Sequence, residues 1–148
     1  MIATAALSFT PHLVVRDADT GHIYAQWRVA DGDRFAIEFI HSVNQTPVRD
    51  IFLIDSGELL PVETVFYGFG AGMQTELTAG QQLVHNPDGS LSIIGFTQRL
   101  PQLNYIVGTV SDHVLYRDDG TTSLRTLCGK NTAVTIKIEE RIRLEFRK

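Results

Sequence analysis

Three stretches of the chain carry side chains suited to chemistry. The first is Phe39-Ile40-His41-Ser42-Val43-Asn44-Gln45-Thr46-Pro47-Val48. There an apolar strand pattern runs into imidazole, hydroxyl and amide groups, and Pro47 pushes Thr46 out of the α region. His41 shares parity with Phe35, Ile37 and Phe39, so its ring is expected to face inward at a strand end. It is either a hydrogen-bonded core histidine or an imidazole facing a ligand at a pocket mouth. The second is Glu63, in parity with Leu59, Val65 and Tyr67. On an inner face it is a carboxylate that must be paired or neutralised; on an outer face it is a solvated charge. The third is Tyr67-Gly68-Phe69-Gly70-Ala71-Gly72-Met73. Alternating glycines can cradle a phosphate only where a helix begins at the loop. The following Gln74-Thr75-Glu76-Leu77-Thr78-Ala79-Gly80 is too short for that. The glycines are better read as a sharp bend or a close backbone approach.

Familiar catalytic sets fit poorly. Ser42, His113 and Asp112 contain the groups of a triad, but Ser42 lacks a nucleophile elbow and Asp112 adjoins His113 in sequence. His41, His113 and Glu63 could serve a hydrolytic or metal-dependent enzyme, although their spacing is not diagnostic of a metal site. Asn44-Gln45-Thr46 matches the glycosylation pattern, which three residues match by chance too often to use.

The elements that must position these groups are strands. In 133–146, Val134, Ile136, Ile138, Ile142, Leu144 and Phe146 share one parity and Thr135, Lys137, Glu139, Arg141, Arg143 and Glu145 the other. Successive strand side chains point to opposite faces, so this is a long strand with one wet face. Val134, Ile136, Ile138 and Leu144 are expected in the core. Glu140 breaks the apolar parity and marks a candidate bulge or bend. In 22–29 the expected inward set is Ile23, Ala25, Trp27 and Val29, with His22, Tyr24, Gln26 and Arg28 outward. Further strands are expected near 9–16, 34–41, 47–54, 59–67, 81–85, 90–95, 103–107, 112–117 and 122–127. Turn signals separate them, among them Asp31-Gly32, Ser56-Gly57, Asn86-Pro87-Asp88-Gly89 and Asp119-Gly120. No segment keeps a helical period over three turns. The expectation is a single all-β domain, an antiparallel sandwich or barrel.

Composition narrows the function classes. The chain has 148 residues, 43% hydrophobic and 20% charged, the balance of an ordinary globular domain. Its net charge of −4 argues against a broad electrostatic grip on nucleic acid. The one cysteine, Cys128, excludes an internal disulfide and a Cys-pair zinc site. No apolar run approaches the roughly 20 residues of a membrane span. Met1-Ile2-Ala3-Thr4-Ala5-Ala6-Leu7 is apolar but has no basic residue before it, so it is not a complete secretory signal. Residues 1–8 read either as the remnant of a signal segment or as a frayed lead-in to the first strand.

His41-Ser42-Val43 followed by Thr46-Pro47-Val48, then Glu63 and Phe69-Gly70-Ala71-Gly72-Met73, resembles an uncharacterised bacterial family, the domain-of-unknown-function family numbered 1850. The resemblance runs from about Leu13 to Ile138 and takes in Ala30-Asp31-Gly32-Asp33 and Asp112-His113-Val114-Leu115. It implies a small exported or envelope-associated protein whose gene often sits beside components of TAXI-type TRAP transporters. An accessory role in solute uptake follows from that context, with an extracytoplasmic location. The resemblance supplies no activity and no catalytic residues.

The leading expectation is therefore a non-enzymatic accessory or small-ligand-binding module, with a solute or a transporter subunit as partner and no cofactor or metal. Its expected ligand-binding residues are His41, Ser42, Asn44, Glu63, Gly70, Gly72 and Met73. The alternatives are an enzyme using His41, Glu63 and His113, and a structural envelope protein. The site expectation rests on strand direction. If 34–41, 47–54 and 59–67 pair in succession, the chain leaves the third strand at the same end as His41.

Overall fold

A computed structural model describes residues 4–68 and 76–147, with backbone alone for 4–6 and 143–147. Eleven strands and one short helix follow each other along the chain: β1 (Thr4–Asp17), β2 (Ile23–Arg28), β3 (Arg34–Ile40), β4 (Pro47–Asp55), β5 (Glu58–Phe66), β6 (Gln82–His85), β7 (Leu91–Ile94), β8 (Leu103–Ile106), β9 (His113–Arg117), β10 (Gly120–Ser123), α1 (Leu124–Cys128) and β11 (Ala133–Arg147). They form two antiparallel sheets, β2-β1-β11-β8 and β10-β9-β3-β4-β5-β7-β6. The sheets pack face to face as a sandwich rather than closing into a barrel.

Apolar parity explains the packing. Leu13, Val15, Leu103, Val134 and Ile136 of the small sheet meet Phe35, Ile37, Phe52, Ile54, Leu59 and Leu115 of the large one. Each such side chain contributes about 1.5–3 kcal/mol when fully buried. A second cluster on the large sheet joins Val48, Phe66, Leu91 and Ile93, with Phe39, Leu83 and Phe96 against it.

Two bulges change parity where sequence alternation alone misleads. Between β1 and β2 the register moves from Val15↔Ala25 to Arg16↔Ile23. The extra residue, Tyr24, turns onto the core instead of outward as expected, and its hydroxyl donates to Asp17 Oδ2 at 2.8 Å. Between β4 and β5 the register moves from Ile51↔Glu63 to Phe52↔Pro61, leaving Val62 over. Leu59 and Phe66 have opposite sequence parity yet both lie buried on the inner face. Glu63, Val65 and Tyr67 consequently face outward.

Glu140 introduces no bulge. The β1–β11 register runs unbroken through Pro11↔Glu140 to Thr4↔Arg147. Instead the strand outruns the sandwich. Val134 and Ile136 are fully buried and Ile138 packs on the core, whereas Ile142 is 66% exposed beside an equally exposed Phe9. The side chains of Leu144 and Phe146 lie outside the described residues.

The expected strand near 122–127 is replaced after Ser123 by α1. Ser123 Oγ accepts from Thr126 N at 3.0 Å and Asp112 Oδ1 accepts from Arg125 N at 2.9 Å, so two amides of the first turn gain side-chain acceptors. Gly129, at φ 88°, donates to Arg125 O and ends the helix. At Gly95 a Cβ would run into the Gly80 carbonyl oxygen, so only glycine lets these segments cross. Among the described residues no helix is long and apolar enough to cross a membrane.

Candidate functional site

The expected ligand-binding residues fall into separate environments. β3, β4 and β5 do pair in succession, and Thr46 Oγ1 donates to Tyr67 O at 3.3 Å. The loop 41–46 therefore abuts the exit of β5, as strand direction requires. Gly70, Gly72 and Met73, with the rest of 69–75, lie outside the described residues. His41 is half-buried and serves its own loop. Its Nδ1 accepts from Val43 N at 3.3 Å and Asn44 N at 3.4 Å, while its carbonyl accepts from Gln45 N at 2.9 Å. Ser42 is exposed and Asn44 half-buried; the Ser42 carbonyl accepts from the Gln45 side chain at 2.5 Å. Gln45 itself adopts φ 54° to close the loop.

Glu63 points away from His41 and belongs to a hydroxyl chain on the outer face of the large sheet. Ser92 Oγ donates to Glu63 Oε1 at 2.6 Å, and Asn86 Nδ2 donates to Ser92 Oγ at 2.8 Å and Ser90 Oγ at 2.9 Å. Ser90 Oγ donates in turn to Asp88 Oδ1 at 2.7 Å, and Tyr67 OH donates to Asp88 Oδ2 at 3.2 Å. Ser90 and Ser92 are both buried, and this chain satisfies their hydroxyls. The Ser90 contacts hold the Asp88 carboxyl below its usual range, and the Asp88 charge pushes the Tyr67 phenol up.

His113 faces the opposite way, between the sheets. Its ring lies 5.3 Å from Phe39 and 5.2 Å from Tyr105. Its Nδ1 is buried with no hydrogen-bond partner among the described residues. Burial lowers its pKa, opposed by the Asp112 charge. Asp112 itself is engaged by Ser123 and the Arg125 amide. The body of the large sheet thus separates His113 from Glu63, and Asp112 is committed to the helix cap. No three ligating side chains converge on a metal position among the described residues.

Sequence reading missed the more unusual carboxylate. Asp50 shares parity with Val48, Phe52 and Ile54, three buried residues, so it sits on the inner face of β4 between the two apolar clusters. Opposite it on β5 stands Thr64, whose Oγ1 donates to Asp50 Oδ1 at 2.7 Å. Burial pushes the Asp50 carboxyl up, against the weaker downward pull of that bond. Burial, and after it the Asp50 charge, also raises the Tyr105 phenol on the facing sheet. Among the described residues no arginine, lysine or histidine pairs with Asp50. A signal existed in the sequence: one acid at an apolar parity position within Pro47–Asp55.

Beside Asp50 and Thr64 opens a cleft of about 210 Å³, walled by Phe52, Pro61, Phe96, Leu100 and Leu103. Ile51 and Glu63 also border it, so one of the expected ligand-binding residues does reach it. The β4–β5 bulge lies in its floor, a position where bulges commonly re-aim side chains. Its outer wall is the connection from β7 to β8. That connection is pinned by Leu59 N to Leu100 O at 2.9 Å, by Leu100 N to Leu59 O at 2.8 Å, and by the Arg99–Asp55 ion pair. A wider groove of about 520 Å³ opens at the other end of β4, under the β1–β11 ribbon, lined by Phe9, Arg28, Ile54 and Ile138 among others. Its charged groups, Arg28, Asp31 and Glu140, are all exposed.

No curated protein and no solved structure matches the chain. A family model does match, over residues 35–124, which carry β3 to β10, the loop 41–46 and every residue that lines the Asp50 cleft. The chain belongs to the family described as a domain of unknown function (DUF1850).

Proposed function

We propose that this protein is a non-enzymatic small-ligand-binding module that acts as an extracytoplasmic accessory to a solute-uptake system of the TRAP type. The observation that carries the binding reading is the cleft at Asp50. It combines apolar walls with a few polar groups, the Asp50–Thr64 pair and Glu63 at its border, in the manner of small-molecule sites. The walls belong to paired strands and a pinned connection, so the cavity exists without a guest. An enzyme built on His41, Glu63 and His113 lacks support from the geometry, because each of the three serves a different neighbourhood. The transporter association and the location rest on the family resemblance of the motifs around His41, Glu63 and 69–73.

Native mass spectrometry of the full chain purified from its own source tests the reading. A small-molecule adduct lost on collisional activation, or a complex with a transporter subunit, is the expected result. A protein that arrives with neither adduct nor subunit overturns it.

A further inference from the structure

We propose that the cleft beside Asp50 takes an organic ammonium, a primary amine carrying a short apolar chain. The inference rests on the binding-module reading and names the class of its ligand. A carboxylate withdrawn from water must be paired, neutralised or hydrogen-bonded. Asp50 has one hydroxyl donor, Thr64, and no cation among the described residues. Asp50 is half-buried, so the fold leaves a negative group with a single donor at the wall of a cleft, and a positive guest supplies what is missing. Burial, which favours the protonated form of the carboxyl, reflects the same deficit.

The walls decide which cation. Phe52, Pro61, Phe96, Leu100 and Leu103 offer no oxygen ligands from their side chains. Glu63 also borders the cleft, but its carboxylate accepts from Ser92 on the outer face. A calcium or magnesium ion needs six or more oxygen ligands or retained waters, which Asp50 and Thr64 do not provide. An alkylammonium needs one strong acceptor and an apolar sleeve. Two aromatic side chains in the wall suit a cation further. The volume of about 210 Å³ equals roughly seven waters at about 30 Å³ each, enough for a chain of a few carbons.

The test is titration calorimetry at neutral pH on the full chain with three probes of one size: n-butylammonium, n-butanol and butyrate. Amide NMR locates each guest. Butylammonium is expected to bind alone of the three and to shift amides of 50–52, 61–64 and 96–103. Asp50→Asn keeps the shape and removes the charge, and is expected to weaken butylammonium about tenfold or more. Phe96→Ala, on the half-buried wall, is expected to weaken it with Asp50 intact, which covers the case of an Asp50 variant that does not fold. Equal binding of butanol, preference for butyrate, unchanged affinity in Asp50→Asn, or shifts confined to another region each overturn the ammonium assignment. So does silence from all three probes. A native adduct found alongside any of these results leaves the binding reading standing with a different ligand class; a bare protein takes both away.

Discussion

Thr64 Oγ1 reaches across from β5 to Asp50 Oδ1 at 2.7 Å, the one hydrogen bond given to this inward-facing carboxylate by the described residues. It is a bond to a charged acceptor in a partly buried place, so its removal is costly. Thr64→Val keeps the β-branched shape and deletes the donor. It is expected to lower stability by about 1–3 kcal/mol at neutral pH. Urea unfolding reads this directly, and a variant as stable as wild type would remove Thr64 from the site.

Asp50→Asn is expected to act in the opposite direction, with a pH dependence. Burial raises the folded-state pKa of Asp50 above its ordinary value of 3.8. Its linkage contribution to stability is thus full below 3.8 and lost as pH rises through the higher folded value. Asparagine undergoes no such loss. The stability of the variant relative to wild type should grow as pH rises from the acid range toward neutrality. Equilibrium unfolding at a series of pH values checks it, and a flat difference contradicts the buried-charge account.

His113 carries the reverse sign. Burial lowers its folded pKa below 6.5, so the unfolded chain takes up the proton first. The stability tied to neutral His113 is present above 6.5 and drains as pH falls toward the lowered folded value. His113→Phe fills the space between Phe39 and Tyr105 and leaves no buried Nδ1 without a partner. It is expected to stay within about 1 kcal/mol of wild type at neutral pH and to gain on it below 6.5. Parallel acid-unfolding curves for the two proteins would show that His113 is solvated in the fold.

Period-two alternation made most of this fold legible. The β strands from Arg34 to Phe66 and the strand beginning at Ala133 stand where the apolar parity put them. Alternation failed at Tyr24 and Val62, because one inserted residue flips every side chain beyond it and leaves no mark in composition. The face of Glu63 was undecidable for that reason, and Asp50 was missed because its alternation implied burial while its chemistry implied solvent. Ile142 marks a different limit: its parity is apolar, but parity does not say whether a second sheet lies opposite. Ile136→Ala is accordingly expected to cost about 2–5 kcal/mol, and Ile142→Ala to fall within about 0.5 kcal/mol of wild type. Chemical denaturation of the pair checks both. Equal losses would mean that the ribbon beyond Glu140 is covered.

The loop 41–46 presents the sharpest choice between binding and architecture. His41 Nδ1 accepts two backbone amides, from Val43 and Asn44, and the loop reaches Tyr67 O through Thr46. An acceptor two residues before an amide is the arrangement of an Asx turn, which aspartate and asparagine make with their own side chains. Replacing the imidazole by methyl removes both bonds, but the loop is exposed enough for water to substitute in part. His41→Ala is therefore expected to cost about 0.5–1.5 kcal/mol, and His41→Asp to recover most of that loss by restoring an acceptor to Val43 N. Neither variant should alter binding in the Asp50 cleft, since no residue of the loop lines that cleft. Thermal unfolding gives the first two comparisons and calorimetry with butylammonium the third. If His41→Ala melts like wild type yet abolishes binding of a native ligand, and His41→Asp fails to restore it, the imidazole is a ligand contact and its turn bonds are incidental.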